Sequence, residues 1–162
     1  MLLILSPAKI QDFTFPSSVE KYTIPIFLED AGNLIHVLRK YGKKELTELL
    51  KVNKDIAVRS HDQYYNWAEE HTLNNANQAM FVYAGEVYRG LQAKNLRDED
   101  IEYAQKHLRI LSGLYGVLKP LDLICPYRLE MNTKLKNEKV YSLYSCWSDK
   151  RTKEINNSIK DA

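Results

Sequence analysis

Cysteine is scarce in this chain. Cys125 and Cys146 are the only two among 162 residues, too few for a disulfide framework and in keeping with reduced intracellular thiols. Long apolar runs are missing as well. Nothing approaches the roughly 20 residues that cross a bilayer, and residues 1–5 are too short, with no basic flank before them, for a secretory signal. The chain is therefore expected in the cytoplasm, away from any membrane. Glycine and proline, at 6 and 5, are too few for a disordered chain, and there is no internal repeat or low-complexity tract. His36, His61, His71 and His107 show no paired spacing and the two cysteines lie far apart, so no metal site and no cofactor is expected. An excess of one charge is missing too. A net charge of +2 is too near neutral to announce nucleic-acid binding by itself.

What is present is an ordinary globular composition, 44% hydrophobic and 27% charged, at a length usual for one domain. Residues 1–5 read as a buried strand that Ser6-Pro7 ends, because proline removes a ladder donor and restricts the residue before it. Residues 10–30, with Phe13, Phe15, Pro16 and Pro25, read as an irregular stretch. From Asn33 the period turns helical: Leu34, Ile35, Val37, Leu38 and Tyr41 share a stripe, and Gly42 is a natural stop. A second helix carries Leu46, Leu49 and Leu50. Asn53 interrupts or caps, and a third runs to about Glu70.

Residues 77–84 turn toward β propensity, with Phe81, Val82 and Tyr83 as a second strand ended by Gly85. Asp98 is expected to cap a helix bearing Ile101, Ala104, Leu108 and Leu111 and closing at Ser112-Gly113. Residues 139–147 alternate as a third strand, and residues 149–159 resemble a further helix. Strands mixed with helices give an α/β, or mixed α+β, domain.

Ser6 and Lys9 stand at a strand's carboxyl end, where such folds place ligands. A hydroxyl and a compact cation there suit a phosphate oxygen, and a capped turn with an exposed lysine is the plainer reading. Ser6-x-x-Lys9 also matches the pattern of penicillin-recognising acylases, but no helix is expected after it and the companion motifs are missing. Arg109, Ser112, Tyr115 and Arg128 cluster in one block. Its turn, bracketed by Gly113 and Gly116, can offer main-chain N–H groups to an anion, with Arg109 on the helix and Arg128 available for bidentate contacts. A corner that merely reverses the chain is the alternative.

Residues 39–59 hold seven basic residues against three acidic ones, and residues 134–151 are basic too. Within residues 44–59, two helical segments flank the turn Asn53-Lys54-Asp55, a helix-hairpin-helix candidate without the usual glycines. Such an element grips phosphates with the amides at its second helix's start, helped here by Lys43, Lys44, Lys51, Asn53, Lys54 and Arg59. A solvated basic helical face is the competing reading. Cys125, between Ile124 and Pro126, reads as packing before it reads as a peroxide sensor. The 11 tyrosines, Tyr115, Tyr127, Tyr141 and Tyr144 among them, include candidates for stacking on bases, though most suit core edges.

LSPAK at residues 5–9, FVYAGEVYRGLQA at 81–93 and HLRILSGLYGVLKPLDLICPYRLEM at 107–131 together resemble the YaaA family of peroxide stress resistance proteins. The resemblance covers essentially the whole chain. It implies a cantaloupe-like α/β fold with a positively charged cleft and a helix-hairpin-helix. It also implies a cytoplasmic role in withstanding hydrogen peroxide by limiting free-iron damage, with sequence-independent binding to double-stranded DNA. Family members normally continue past the equivalent of Asp161, so residues 1–162 are expected to form a single YaaA-like domain lacking the C-terminal third. Ser6, Lys9, Arg109, Ser112, Tyr115 and Arg128 are then expected to line an anion-binding cleft, with a nucleotide-like anion as a second ligand. The alternative is an enzyme acting on a nucleotide or nucleic-acid base through Ser6, Lys9, Arg109 and Arg128.

Overall fold

The computed structural model describes residues 1–14, 17–136 and 140–162; Phe15, Pro16 and Lys139, and the side chains of Val140 and Tyr141, lie outside what it describes. The first strand, β1 (Leu3–Leu5), is followed by β2 (Ile10–Gln11), and three helices come next: α1 (Leu28–Leu38), α2 (Lys43–Leu50) and α3 (Lys54–Asn66). Then come β3 (Asn77–Gln78), α4 (Ala79–Val82), β4 (Tyr83–Ala84), α5 (Glu86–Leu91) and α6 (Asp98–His107). The second half holds β5 (Leu108–Ser112), β6 (Gly116–Leu118), β7 (Leu123–Ile124), β8 (Lys134–Lys136), β9 (Val140–Ser142) and α7 (Leu143–Asp161). The fold is mixed α+β, as its composition of elements led us to expect.

β5 is the middle of a three-stranded sheet, parallel to β1 with Leu3, Ile4 and Leu5 opposite Leu108, Arg109 and Ile110, and antiparallel to β6. That placement corrects two expectations. β1 is not buried: it is an edge strand, with Leu3 50% and Ile4 45% exposed. The helix expected to run through Leu111 ends at His107, and Arg109 stands on a strand. Ile101, Ala104, Leu108 and Leu111 fit a helical period, but residues 108–112 fit alternation equally well, and pairing with β1 decides between them.

α1 begins at Leu28, five residues before the expected start, with Glu29 and Asp30 in its first turn, where acids suit the helix dipole. Ala31, Leu34, Ile35 and Leu38 form its buried stripe. Gly42 does not close this helix. It opens α2, its N–H donating to Glu45 Oε2 at 2.7 Å. α2 ends on Lys51 in the left-handed region at φ 53°, and Asn53 caps α3 by accepting from the Ile56 N–H at 2.9 Å. The connecting turn is therefore residues 51–53, two positions ahead of the expected Asn53-Lys54-Asp55.

Two further stretches differ. The second strand expected through Phe81 and Val82 is interrupted by the helical turn α4, because the N–H groups of Ala79 and Met80 bond the Asp122 and Pro120 carbonyls instead of a neighbouring strand. The third strand stops at Ser142, whose hydroxyl caps α7, so residues 143–147 are helical. That helix drives Trp147 into the core, where its ring centroid lies 5.5 Å from that of Phe27 and its Nε1 donates to the Gly113 carbonyl at 2.9 Å.

Candidate functional site

Lys9 and Arg128, 119 residues apart in sequence, meet around one carboxylate. Lys9 Nζ lies 3.4 Å and Arg128 Nη2 3.6 Å from the same Oε1 of Glu130. Beside them is a cavity of about 180 Å³, whose lining includes Pro7, Gln11 and Tyr127. A larger cavity of about 630 Å³ shares Lys9, Arg128 and Glu130 and reaches the helical hairpin. It adds the cations Lys51, Lys134 and Lys136 and the carboxylates Glu45 and Glu48, so five cations face three acids.

Hydrogen bonds from separate elements hold this wall. The Tyr64 hydroxyl on α3 donates to the Arg128 carbonyl, Gln11 Oε1 on β2 accepts from the Tyr127 N–H at 3.2 Å, and Tyr88 on α5 donates to the Ser6 carbonyl at 2.6 Å. Tyr41, just past α1, donates to the Lys136 carbonyl at 3.1 Å and accepts from its N–H at 2.8 Å, fixing the β8 rim. Lys9 and Arg128 are thus brought together, and Lys51 joins them from the hairpin. Ser6 does not line either cavity; the segment carrying it joins β1 to β2 with no helix, unlike the acylase arrangement. Lys43, Lys44, Lys54 and Arg59 are exposed outside the cleft lining, and the Asn53 side chain is committed to its cap.

Arg109 is elsewhere. Alternate residues of a strand face opposite sides, and Arg109 faces α7 while Ser112 faces the tyrosine core. Arg109 Nε donates to Ser158 Oγ at 3.0 Å, and Nη1 donates to the Gln105 and Leu108 carbonyls. It borders a separate cavity of about 500 Å³ with Lys119, Asp122 and Glu154. Ser112 and Tyr115 are fully buried. Ser112 Oγ accepts from the Tyr115 N–H at 3.0 Å and sits 2.7 Å from the Tyr127 hydroxyl, which meets Tyr83 at 2.6 Å. The Gly113 to Gly116 corner is packed rather than open: a Cβ on Gly113 would stand 2.3 Å from the Leu129 carbonyl oxygen, and one on Gly116, at φ +72°, would strike Trp147.

The Tyr115 hydroxyl accepts from Trp67 Nε1 at 2.9 Å and from the Cys125 N–H at 3.0 Å, which leaves its own proton for His71 Nε2 at 2.8 Å. His71 is therefore neutral, with its proton on Nδ1, and burial holds its pKa down at about 4. Burial pushes the Cys125 thiol up, and its sulfur lies 3.4 Å from the Asn75 carbonyl it donates to, so Cys125 packs as a small side chain. Among the described residues no group of three or more His, Cys, Asp or Glu could hold a metal ion. Glu130 escaped the sequence reading. The available clue was its spacing: two residues beyond Arg128 in an extended PYRLE run, it shares Arg128's face.

These features define a mixed α+β protein with a cationic cleft beyond the carboxyl end of its first strand. A family profile described as "Peroxide stress protein YaaA" matches residues 1–162, and the chain belongs to that family. Among curated proteins, two UPF0246 proteins from Burkholderia cenocepacia strains and one from Burkholderia orbicola are each 42% identical to it over 160 residues. Those matches take in 99% of this chain and 62% of each relative, so the chain spans less than two thirds of their length. Family membership supports a role in oxidative stress. No helix among the described residues is long and apolar enough to cross a membrane.

Proposed function

We propose that the chain binds double-stranded DNA through its phosphate backbone, without regard to sequence, as a cytoplasmic part of the response to hydrogen peroxide that limits free-iron damage. One observation carries the reading: Lys9, Arg128 and Lys51, from three distant parts of the chain, line a single cavity of about 630 Å³. Cations concentrated in one groove release counterions when phosphates enter it. The α2–α3 pair acts in this reading as the helix-hairpin-helix, with Lys51 at its turn facing the groove. Charges that contact phosphate carry affinity rather than base specificity.

Fluorescence anisotropy with duplexes of unrelated sequence tests the proposal. Affinity is expected to be the same for each sequence and to fall steeply between 50 and 200 mM salt, by about three orders of magnitude if six phosphates are neutralised. Replacing Lys9 or Lys51 by Gln should lower the salt slope by about one each. A flat salt response would overturn the reading. The other reading, an enzyme acting on a nucleotide or base, requires a Lys9-dependent product from nucleotides or damaged oligonucleotides, and the same preparations test it.

A further inference from the structure

We propose that the smaller cavity is a seat for a phosphomonoester, the phosphate-bearing end of a nucleic-acid strand, and that Glu130 is the internal anion such a phosphate displaces. The inference rests on the nucleic-acid reading and adds to it the chemical class of the group recognised.

The geometry begins with two cations converging on one oxygen. Glu130 Oε1 is 3.4 Å from Lys9 Nζ and 3.6 Å from Arg128 Nη2. Both separations exceed the roughly 2.7–2.9 Å of a charge-assisted hydrogen bond. Among the described residues the Glu130 carboxylate accepts no hydrogen bond, and its side chain is 35% exposed, so the two long ion pairs are its only polar contacts there. Arg128 is more enclosed, with its side chain 24% exposed, yet its guanidinium donates no hydrogen bond among the described residues. None of its nitrogens is a buried atom without a partner, so water reaches those donors and an anionic acceptor can take the water's place.

Charge selects which acceptor. Lys9 and Arg128 bring two positive charges and Glu130 offsets one. A phosphodiester carries one negative charge, so in the carboxylate's place it matches one cation and leaves the other over. A phosphomonoester carries about −1.5 to −2 at neutral pH and presents three free oxygens, which matches both cations at once. Volume agrees. About 180 Å³ is below the roughly 300–1,000 Å³ of sites that enclose whole drug-sized ligands. It suits a phosphate group, while the larger groove, which shares Lys9, Arg128 and Glu130, leads the rest of the strand away.

The test uses the full chain with labelled oligonucleotides identical except at one end: 5′-phosphate, 3′-phosphate, hydroxyl, or a methyl-blocked phosphate, which is a diester. At one salt concentration, a free end phosphate at the matching terminus is expected to tighten binding about tenfold over hydroxyl. The methyl-blocked end should bind like hydroxyl. Lys9→Gln should erase the advantage of the phosphate, and Glu130→Gln should enlarge it, because the resident competitor is gone. Equal affinity for all four ends, in the native chain and in Glu130→Gln, overturns the seat; if salt dependence stays steep, the DNA reading survives that failure. An NMR titration with methyl phosphate against dimethyl phosphate reads the seat without nucleic acid. Shifts of Lys9 and Arg128 signals with the monoester alone, in a protein that binds no oligonucleotide, would keep the seat and remove the DNA reading. No shift with either ester and no oligonucleotide binding removes both.

Discussion

His71 shows how a single buried group ties this fold to pH. It is 4% exposed, its Nε2 takes the Tyr115 proton, and burial lowers its pKa from 6.5 to about 4. Between those two values the unfolded chain binds a proton that the native protein does not. Stability therefore rises with pH across that window, is complete above about 6.5, and is lost as pH falls toward 4, by roughly 3 kcal/mol. Asp122 works the other way. Burial raises its pKa despite the hydrogen bond from Thr23 at 2.6 Å, so its contribution is complete below the ordinary carboxylate value and is lost as pH rises through the raised one. Urea unfolding at intervals from pH 4 to 7 separates the two residues. His71→Gln should flatten the rise in stability, and Asp122→Asn should steepen it. A native-like slope in both variants would mean that neither group governs the pH response.

At the scale of elements, the α2–α3 hairpin is where local chemistry and proposed function can be pulled apart. The cap by Asn53 was legible, because an Asn side chain three residues before an available N–H is a local event. The left-handed Lys51 was not, since nothing in a lysine announces positive φ. Lys51→Gly should relieve that backbone cost and raise stability by about 1 kcal/mol, while weakening duplex binding and reducing its salt slope by about one. Thermal unfolding and anisotropy on the same variant check both directions; a loss of stability would show that the Lys51 stem packs on the hairpin. β5 and α4 were misread for another reason. Their residues satisfy both a helical and an extended pattern, and partners from residues 3–5 in one case and 120–122 in the other choose between them. Such choices are made through distant contacts, which short windows do not contain.

For the molecule as a whole, the sequence grouped Lys9, Arg128 and Arg109, of which the structure brings the first two together around Glu130 and holds Arg109 against α7, because neighbours in a motif need not share a strand face. The expected wall of Ser112 and Tyr115 proved to be core behind the cleft. The sheet carries a second global consequence. Among the described residues β1 has one strand neighbour, β5, and its other edge is open. Met1, Leu3 and Ile4 are 80%, 50% and 45% exposed along it, with none of the charges or bulges that usually guard an edge. The outward edge of this three-residue strand, with no strand beside it among the described residues, should template association with a second copy. Sedimentation velocity over a hundredfold concentration range is expected to show mass rising with concentration. Ile4→Lys, which puts a charge on the edge without touching the cleft, should hold the chain monomeric with its helical circular dichroism unchanged. Association that persists in this variant would locate the contact elsewhere, and a native chain that stays monomeric throughout would show that the edge is protected in solution.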